Sequence, residues 1–447
     1  MQDKWIRTRI ALMCFLEFAV WGAYLTSMGS YLCNAGEQFA GKIGLFYTMQ
    51  GVVSIFMPAI IGIIADRYIP AQKTLGLCHA LAGLFMLGAG YVGQAQGSLV
   101  SFPLMFTLYS LSVAFFMPTI ALTNSVAYNA LKRNSYDPEV AFPPIRIWGT
   151  IGFICMMLAV NFIKVPSASF QDAAHQCAIS MQKTYHQFYV SGAVSVLLAL
   201  YALSMPKCSV ARSEGKVSIA DALGLKAFSL FRSRQMAVFF IFSMLLGVSL
   251  QITNGYANPF ISHFAKVPGF EGGWWAENAN LLISLSQLSE TVCILLIPWA
   301  MKKFNIKGVM LIAMFAWVLR FGFFGIGDTG NMLWAMILSC IVYGVAFDFF
   351  NVSGSLYVEQ TTDPSIRSSA QGLFMLMTNG IGATLGTLVA QAVINVFTEG
   401  QSFGSEWLLM DKAGTMGWSG AWLIFAAYAL AVAVAFIFAF KNPAKKR

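Results

Sequence analysis

Long apolar runs make up most of this chain, and the few polar residues inside them fall on single helix faces. Twelve runs reach spanning length, at about residues 9–32, 43–65, 74–94, 99–130, 145–163, 186–205, 236–260, 279–300, 308–326, 331–356, 369–396 and 419–440. Each is near the ~20 residues needed to cross a hydrocarbon core. None alternates with period two, so the runs predict helices, which satisfy their own backbone hydrogen bonds in lipid, and not a barrel. Three runs carry side chains that hydrocarbon excludes: Gln251 with Asn254, Gln287 with Glu290, and Tyr343 with Phe347 and Asp348. A carboxylate near the bilayer centre costs roughly 2.5–3.5 kcal/mol on insertion scales and usually faces a protein-lined cavity. Two of them beside amides and rings predict a polar site inside a membrane bundle, which points to a transporter.

Composition agrees. Hydrophobic residues are 57% of the chain and charged residues 11%, against roughly 25% charged in soluble domains. The net charge of +9 is distributed by side of the membrane. With the N-terminus cytoplasmic, 21 of the 28 Lys and Arg residues fall on that side, among them Lys4, Arg7, Arg9, Lys132, Arg133, Lys302, Lys303, Lys307 and those of the tail 441–447. The opposite side holds Lys42, Lys164, Lys183, Lys266 and Lys412. This positive-inside bias orients the chain with both termini cytoplasmic, and makes nucleic acid an unneeded partner. The first run is too long for a signal-peptide core. The cysteines lack metal-ligand spacing, and neither a metal nor a cofactor is expected. Cys33 and Cys177 both map to the outer side, where a disulfide and two lone thiols are the alternatives.

A cytoplasmic insertion at about 206–235 divides six runs from six. The expected organisation is an N-terminal bundle over 1–206, a linker over 207–235 and a C-terminal bundle over 236–447. The halves echo each other. Asp137-Pro138 precedes Ile145-Arg146 and Gly152-Phe153, as Asp363-Pro364 precedes Ile366-Arg367, Gly372 and Phe374; Gln50 lies eight residues before Pro58, as Glu290 does before Pro298. Repeated halves of this kind place substrate near the midplane and alternate access by rocking. The connection after the second run carries Gly62, Asp66 and Arg67 as G-x-x-x-D-R, which resembles the signature of the major facilitator superfamily.

The string Phe142-Pro143-Pro144-Ile145-Arg146-Ile147-Trp148-Gly149-Thr150-Ile151-Gly152-Phe153 narrows the resemblance to the bacterial nucleoside:proton symporters of that superfamily. Four further strings are similar: Phe116 to Thr119, Leu250 to Asn254, Ser286 to Glu290 and Tyr343 to Asn351. The likeness covers nearly the whole chain; the outer loops 164–185 and 397–418 look less family-like. It implies a twelve-helix major facilitator fold and import of nucleosides, purine and pyrimidine, with protons. It also implies a nucleoside site of Arg146, Thr150, Phe153, Gln251, Asn254, Gln287, Glu290, Tyr343, Phe347 and Asp348.

The residues alone support such chemistry. Arg146, Thr150 and Phe153 follow i, i+4, i+7 spacing and share one helix face. Amides offer donors and acceptors to a base edge, carboxylates accept ribose hydroxyls, and rings stack on the base. Stacking is worth roughly 1–3 kcal/mol per base whatever the base. Proton coupling needs a group whose proton affinity moves with hydration and bound substrate, which a buried carboxylate provides. Asp348 and Glu290 are the candidates, with Asp348 preferred because it has no amide partner of the Gln287–Glu290 kind. Other readings stay open at this level. Phe153, Tyr343 and Phe347 could be core rings, Gln251 and Asn254 could join helices at about 0.6 kcal/mol per bond, and Arg146 could snorkel. Glu17 could bond a neighbouring helix or join the cavity. His79 reads as a satisfied packing histidine ahead of a proton relay, Arg320 as structural, and Asp66 with Arg67 as part of a cytoplasmic charge network.

A sugar or oligosaccharide:proton symporter of the same fold is the nearest alternative, with less use for Gln251 and Asn254. An enzyme would need a nucleophile–base pair, phosphate loop or metal cluster, and none is apparent; a receptor would need an output domain. A monomer is the default for the fold.

Overall fold

The structure is a computed structural model and describes residues 5–35, 37–95, 100–166, 178–208, 225–267, 269–270, 272–362, 367–398 and 417–440. The chain divides into two compact units, Met1–Ala222 and Leu223–Arg447.

The first unit holds α1 (Ile6–Gly22), α2 (Met28–Asn34), α3 (Glu37–Ala40), α4 (Ile43–Arg67), α5 (Ala71–Gly93), α6 (Phe102–Phe116), α7 (Thr119–Arg133), α8 (Pro138–Phe162) and α9 (His186–Leu203). Two three-residue strands, β1 (Lys164–Pro166) and β2 (Ala178–Ser180), pair antiparallel after α8. The second unit holds α10 (Arg234–His263), α11 (Trp274–Glu277), α12 (Ala279–Lys303), α13 (Ile306–Ile326), α14 (Leu333–Thr361), α15 (Arg367–Met375), α16 (Ala383–Thr398) and α17 (Trp418–Ala439). A 3-10 helix, Leu225–Arg232, leads into α10.

Eleven spans among the described residues are long and apolar enough to cross a membrane as helices. The first predicted run is the exception, because it is broken: α1 ends at Gly22, and a turn through Ala23–Ser27 leads into α2. The fourth run is interrupted at Met117 and Pro118, between α6 and α7. Proline has no N–H and crowds the preceding turn, so this interruption has a local cause. The eleventh run changes pitch, with a π-helical segment Leu376–Gly382 joining α15 to α16.

Helices pack closest where glycine removes the side chain. A Cβ on Gly22 would strike the backbone of Phe153, and one on Gly152 would strike that of Phe15, so α1 and α8 cross backbone to backbone. The second unit repeats this joint. A Cβ on Gly247 of α10 would strike the Thr378 backbone, and one on Gly382 would strike the Met244 carbonyl. In both units the first and fifth spans make the joint. Small residues at such crossings are how membrane helices gain packing where lipid gives no hydrophobic drive.

Candidate substrate site

Seven of the ten expected site residues lie in the second unit, on α10, α12 and α14. Tyr343 and Phe347, one turn apart on α14, stack with centroids 5.8 Å apart and planes 7° from parallel. Tyr343 is buried and Phe347 partly open, so the pair presents a ring to a cavity from a fixed backing. Asp348 follows on the same helix, 4% exposed, and its Oδ2 has no hydrogen-bond partner. Glu290 of α12 is the charged group that acts on Asp348 of α14. Gln251 of α10 is also buried, with Oε1 lacking a partner. Asn254 and Gln287 are half-buried, one turn from Gln251 and Glu290 respectively.

Buried polar atoms are nearly always hydrogen-bonded, since an unmade bond costs roughly 1–3 kcal/mol. An amide oxygen and a carboxylate oxygen left open on these helices are acceptors prepared for donors from elsewhere. A recess of ≈ 270 Å³ lies in the same unit, lined in part by Gly247, Leu250, Phe347, Asn351, Thr378 and Asn379, so that of the expected site residues it is Phe347 that lines it. Two of these residues, Thr378 and Asn379, come from the π-helical segment. Such segments occur often at functional sites.

The sequence reading did not place Trp317 and Arg320 of α13 near the site. Trp317 also lines the recess and meets Tyr343 edge-on at 6.0 Å. Arg320 is 1% exposed and lies over the Tyr343 ring with its guanidinium carbon 4.4 Å from the centroid. It donates from Nη1 to the Ser339 carbonyl at 2.7 Å and to Ser286 Oγ at 3.4 Å, and from Nε to Thr253 Oγ1 at 3.3 Å. Arg320 therefore ties α10, α12 and α14 together behind the aromatic pair. Its structural reading fits, but what it supports includes a site ring.

Arg146, Thr150 and Phe153 lie on α8 of the first unit, on the shared face that their spacing gives. Arg146 is half-buried, its guanidinium carbon 3.8 Å from the Phe18 ring centroid on α1. Phe153 is 6% exposed, beside the α1 crossing. The side chains of Asp66 and Arg67, the segment 363–366 with its Asp-Pro echo, and Cys177 lie outside the described residues.

Glu17 takes the first of its two readings. It is 0% exposed and bonds neighbouring helices: His79 Nε2 at 2.8 Å, Thr119 Oγ1 at 2.6 Å and Thr123 Oγ1 at 2.8 Å. His79 is satisfied, as expected, but its partner is an ionisable group and not a neutral one.

Two bundles of spans, with carboxylates, amides and stacked rings buried in one of them, define a membrane transporter of the major facilitator type. The xylose transporter XylE from E. coli, captured inward-open, shares this fold at a TM-score of 0.62 with 12% identity, covering 98% of each chain. The chain belongs to the nucleoside H+ symporter family, whose description "Nucleoside H+ symporter" matches residues 5–445. It is 42% identical over 439 residues to the xanthosine permease of Escherichia coli (strain K12), covering 98% of this chain and 96% of that protein. It is 38% identical, with the same coverage, to the nucleoside permease NupG of that strain. The crystal structure of nucleoside transporter NupG superposes with a TM-score of 0.82 at 37% identity, covering 98% of this chain and 100% of that one. The family is one of permeases and not enzymes, and the chain is a multi-pass nucleoside:proton symporter.

Proposed function

We propose that this symporter carries both purine and pyrimidine nucleosides into the cell across the cytoplasmic membrane, with both termini on the cytoplasmic side. The observation that carries the reading is the stacked Tyr343–Phe347 pair of α14 in a unit that also buries two acceptors without partners, Gln251 Oε1 on α10 and Asp348 Oδ2 on α14. A ring face accepts any base, whereas amide groups at Gln251, Asn254 and Gln287 can turn to offer donor or acceptor to either base class. Glu290 accepts ribose hydroxyls. Asp348, more deeply buried, cycles between protonated and ionised forms and carries the coupled proton. In the first unit, Arg146, Thr150 and Phe153 on one face of α8 offer a guanidinium, a hydroxyl and a ring as substrate contacts of that unit.

A membrane potential of about 100 mV is worth about 2.3 kcal/mol per charge. At ~1.4 kcal/mol per tenfold, one proton per nucleoside supports roughly 50-fold accumulation. Uptake of radiolabelled uridine and adenosine into proteoliposomes, with and without an imposed pH gradient, tests this. Both nucleosides should accumulate only with the gradient. Accumulation of only one base class would overturn the range, and gradient-driven uptake of a sugar instead would overturn the substrate.

A further inference from the structure

The first unit contains a second buried ionisable centre, remote in sequence from every carboxylate assigned above. Glu17 and His79 are both 0% exposed and meet through Oε2 and Nε2 at 2.8 Å. Glu17 stands on α1 and His79 on α5, and Thr119 and Thr123 approach the carboxylate from α7. On the far side of the ring, Ser195 of α9 lies 3.0 Å from Nδ1 and donates to the His79 carbonyl at 2.9 Å. A serine has a single proton to give. With that proton on the carbonyl, Ser195 Oγ accepts from Nδ1, which fixes a hydrogen on that nitrogen. The other nitrogen then shares one proton with Glu17.

We propose that Glu17 and His79 form a proton-binding site of the first unit, loaded and emptied during transport in addition to the site at Asp348. The inference rests on the proton-symport reading above. With one shared proton the pair is neutral in either arrangement, carboxylate with imidazolium or acid with imidazole, and its hydrogen bond is intact. A second proton, taken from water onto the carboxylate, makes Glu17 an acid beside an imidazolium and gives the pair one net positive charge. Loss of the shared proton to water leaves a carboxylate against a bare ring nitrogen and one net negative charge. The loss breaks the bond that ties α1 to α5 and the gain replaces its charged acceptor by a neutral acid, so proton number and helix packing change together. Burial makes both changes costly while the unit stays closed, because an unpaired charge away from water is expensive.

From α7 the groups facing Glu17 are hydroxyls, and from α9 the group behind His79 is a hydroxyl. The thiols of Cys14 on α1 and Cys78 on α5 feel the Glu17 charge, and Arg146 of α8 acts on Cys14. Arg146 sits over Phe18, one residue along α1 from Glu17. A helix-packing role without proton exchange would need only a neutral acceptor at position 17.

The test compares wild type with E17Q and H79Q in proteoliposomes, reading the nucleoside gradient that halts net flux at a fixed pH difference. One pH unit balances about a tenfold nucleoside gradient per coupled proton. E17Q should lower the halting gradient about tenfold while nucleoside counterflow persists. Independently, the ring nitrogens of 15N-histidine are followed in the unaltered chain, which has four histidines, His79 being assigned from H175Q, H186Q and H263Q. Its signal should move between neutral and charged forms with pH, and nucleoside should shift that pH. An E17Q halting gradient equal to that of wild type, or a His79 signal unmoved by pH and nucleoside, overturns the proposal. Should E17Q fail to reach the membrane, the His79 signal decides alone. Wild type that shows no proton-linked nucleoside flux defeats the transport reading itself, a different outcome from wild-type flux with an unchanged E17Q.

Discussion

Arg320 holds its guanidinium carbon 4.4 Å from the centroid of the Tyr343 ring, the same ring on which Phe347 stacks. A fully buried arginine thus supports one ring of the proposed base platform. Lysine keeps the charge but loses the planar fork. R320K should therefore melt below wild type and bind uridine at least tenfold more weakly, about 1.4 kcal/mol. Thermal unfolding in detergent and calorimetric titration on the same preparation check both parts.

Phe347→Ala and Gln251→Ala should each weaken nucleoside binding more than they lower the amount of folded protein in the membrane. Removing a stacking ring costs roughly 1–3 kcal/mol, or about 5- to 150-fold in affinity. Tryptophan quenching with uridine and adenosine measures the loss. Wild-type affinity in both variants would show that this helix face does not bind substrate.

For Arg146, the lysine and alanine variants should be nearly equally damaging to uptake. The planar guanidinium lies over Phe18 with its carbon 3.8 Å from the ring centroid, and an ammonium reproduces neither that ring contact nor the forked donors. Initial uptake rates decide it, with near-normal transport by R146K showing that charge alone suffices.

Asp348→Asn should lower the nucleoside gradient that halts net flux about tenfold per unit of pH difference while permitting downhill exchange, because an amide cannot carry the proton but fills the same space. Glu290→Gln, at the proposed ribose ligand, should weaken both activities together. Gradient-driven uptake and counterflow are measured side by side. A wild-type halting gradient in the Asp348→Asn variant would move that proton to Glu290.

Much of this was legible in the chain. Polar residues in apolar runs carry a large cost, so Gln251, Glu290, Tyr343 and Asp348 stood out by position alone, and the structure brings them into one unit. What hydropathy could not see was backbone geometry. The turn at Ala23–Ser27 sits in a run as apolar as its flanks, and the π-helical pitch over Leu376–Gly382 leaves the hydrophobic pattern uninterrupted. Pro118 did signal its break, yet the surrounding run is long enough to read as one span. Nor could sequence pair Glu17 with His79, which are 62 positions apart and meet only when α1 packs on α5. Arg320 was readable as an intramembrane cation, but its ring partner comes from another helix, α14.

The glycine joints constrain what can change in either unit. At Gly22, Gly152, Gly247 and Gly382 even a methyl group would collide with a backbone atom of the opposing span. A lineage can rewrite the polar side chains hung on these helices, since such changes leave the crossings untouched. It cannot rewrite the crossings one residue at a time without prising two spans apart. The hinge pins are the inheritance shared by the two units, and the chemistry is their divergence: a carboxylate–imidazole pair beside one pin, amides and carboxylates beside the other.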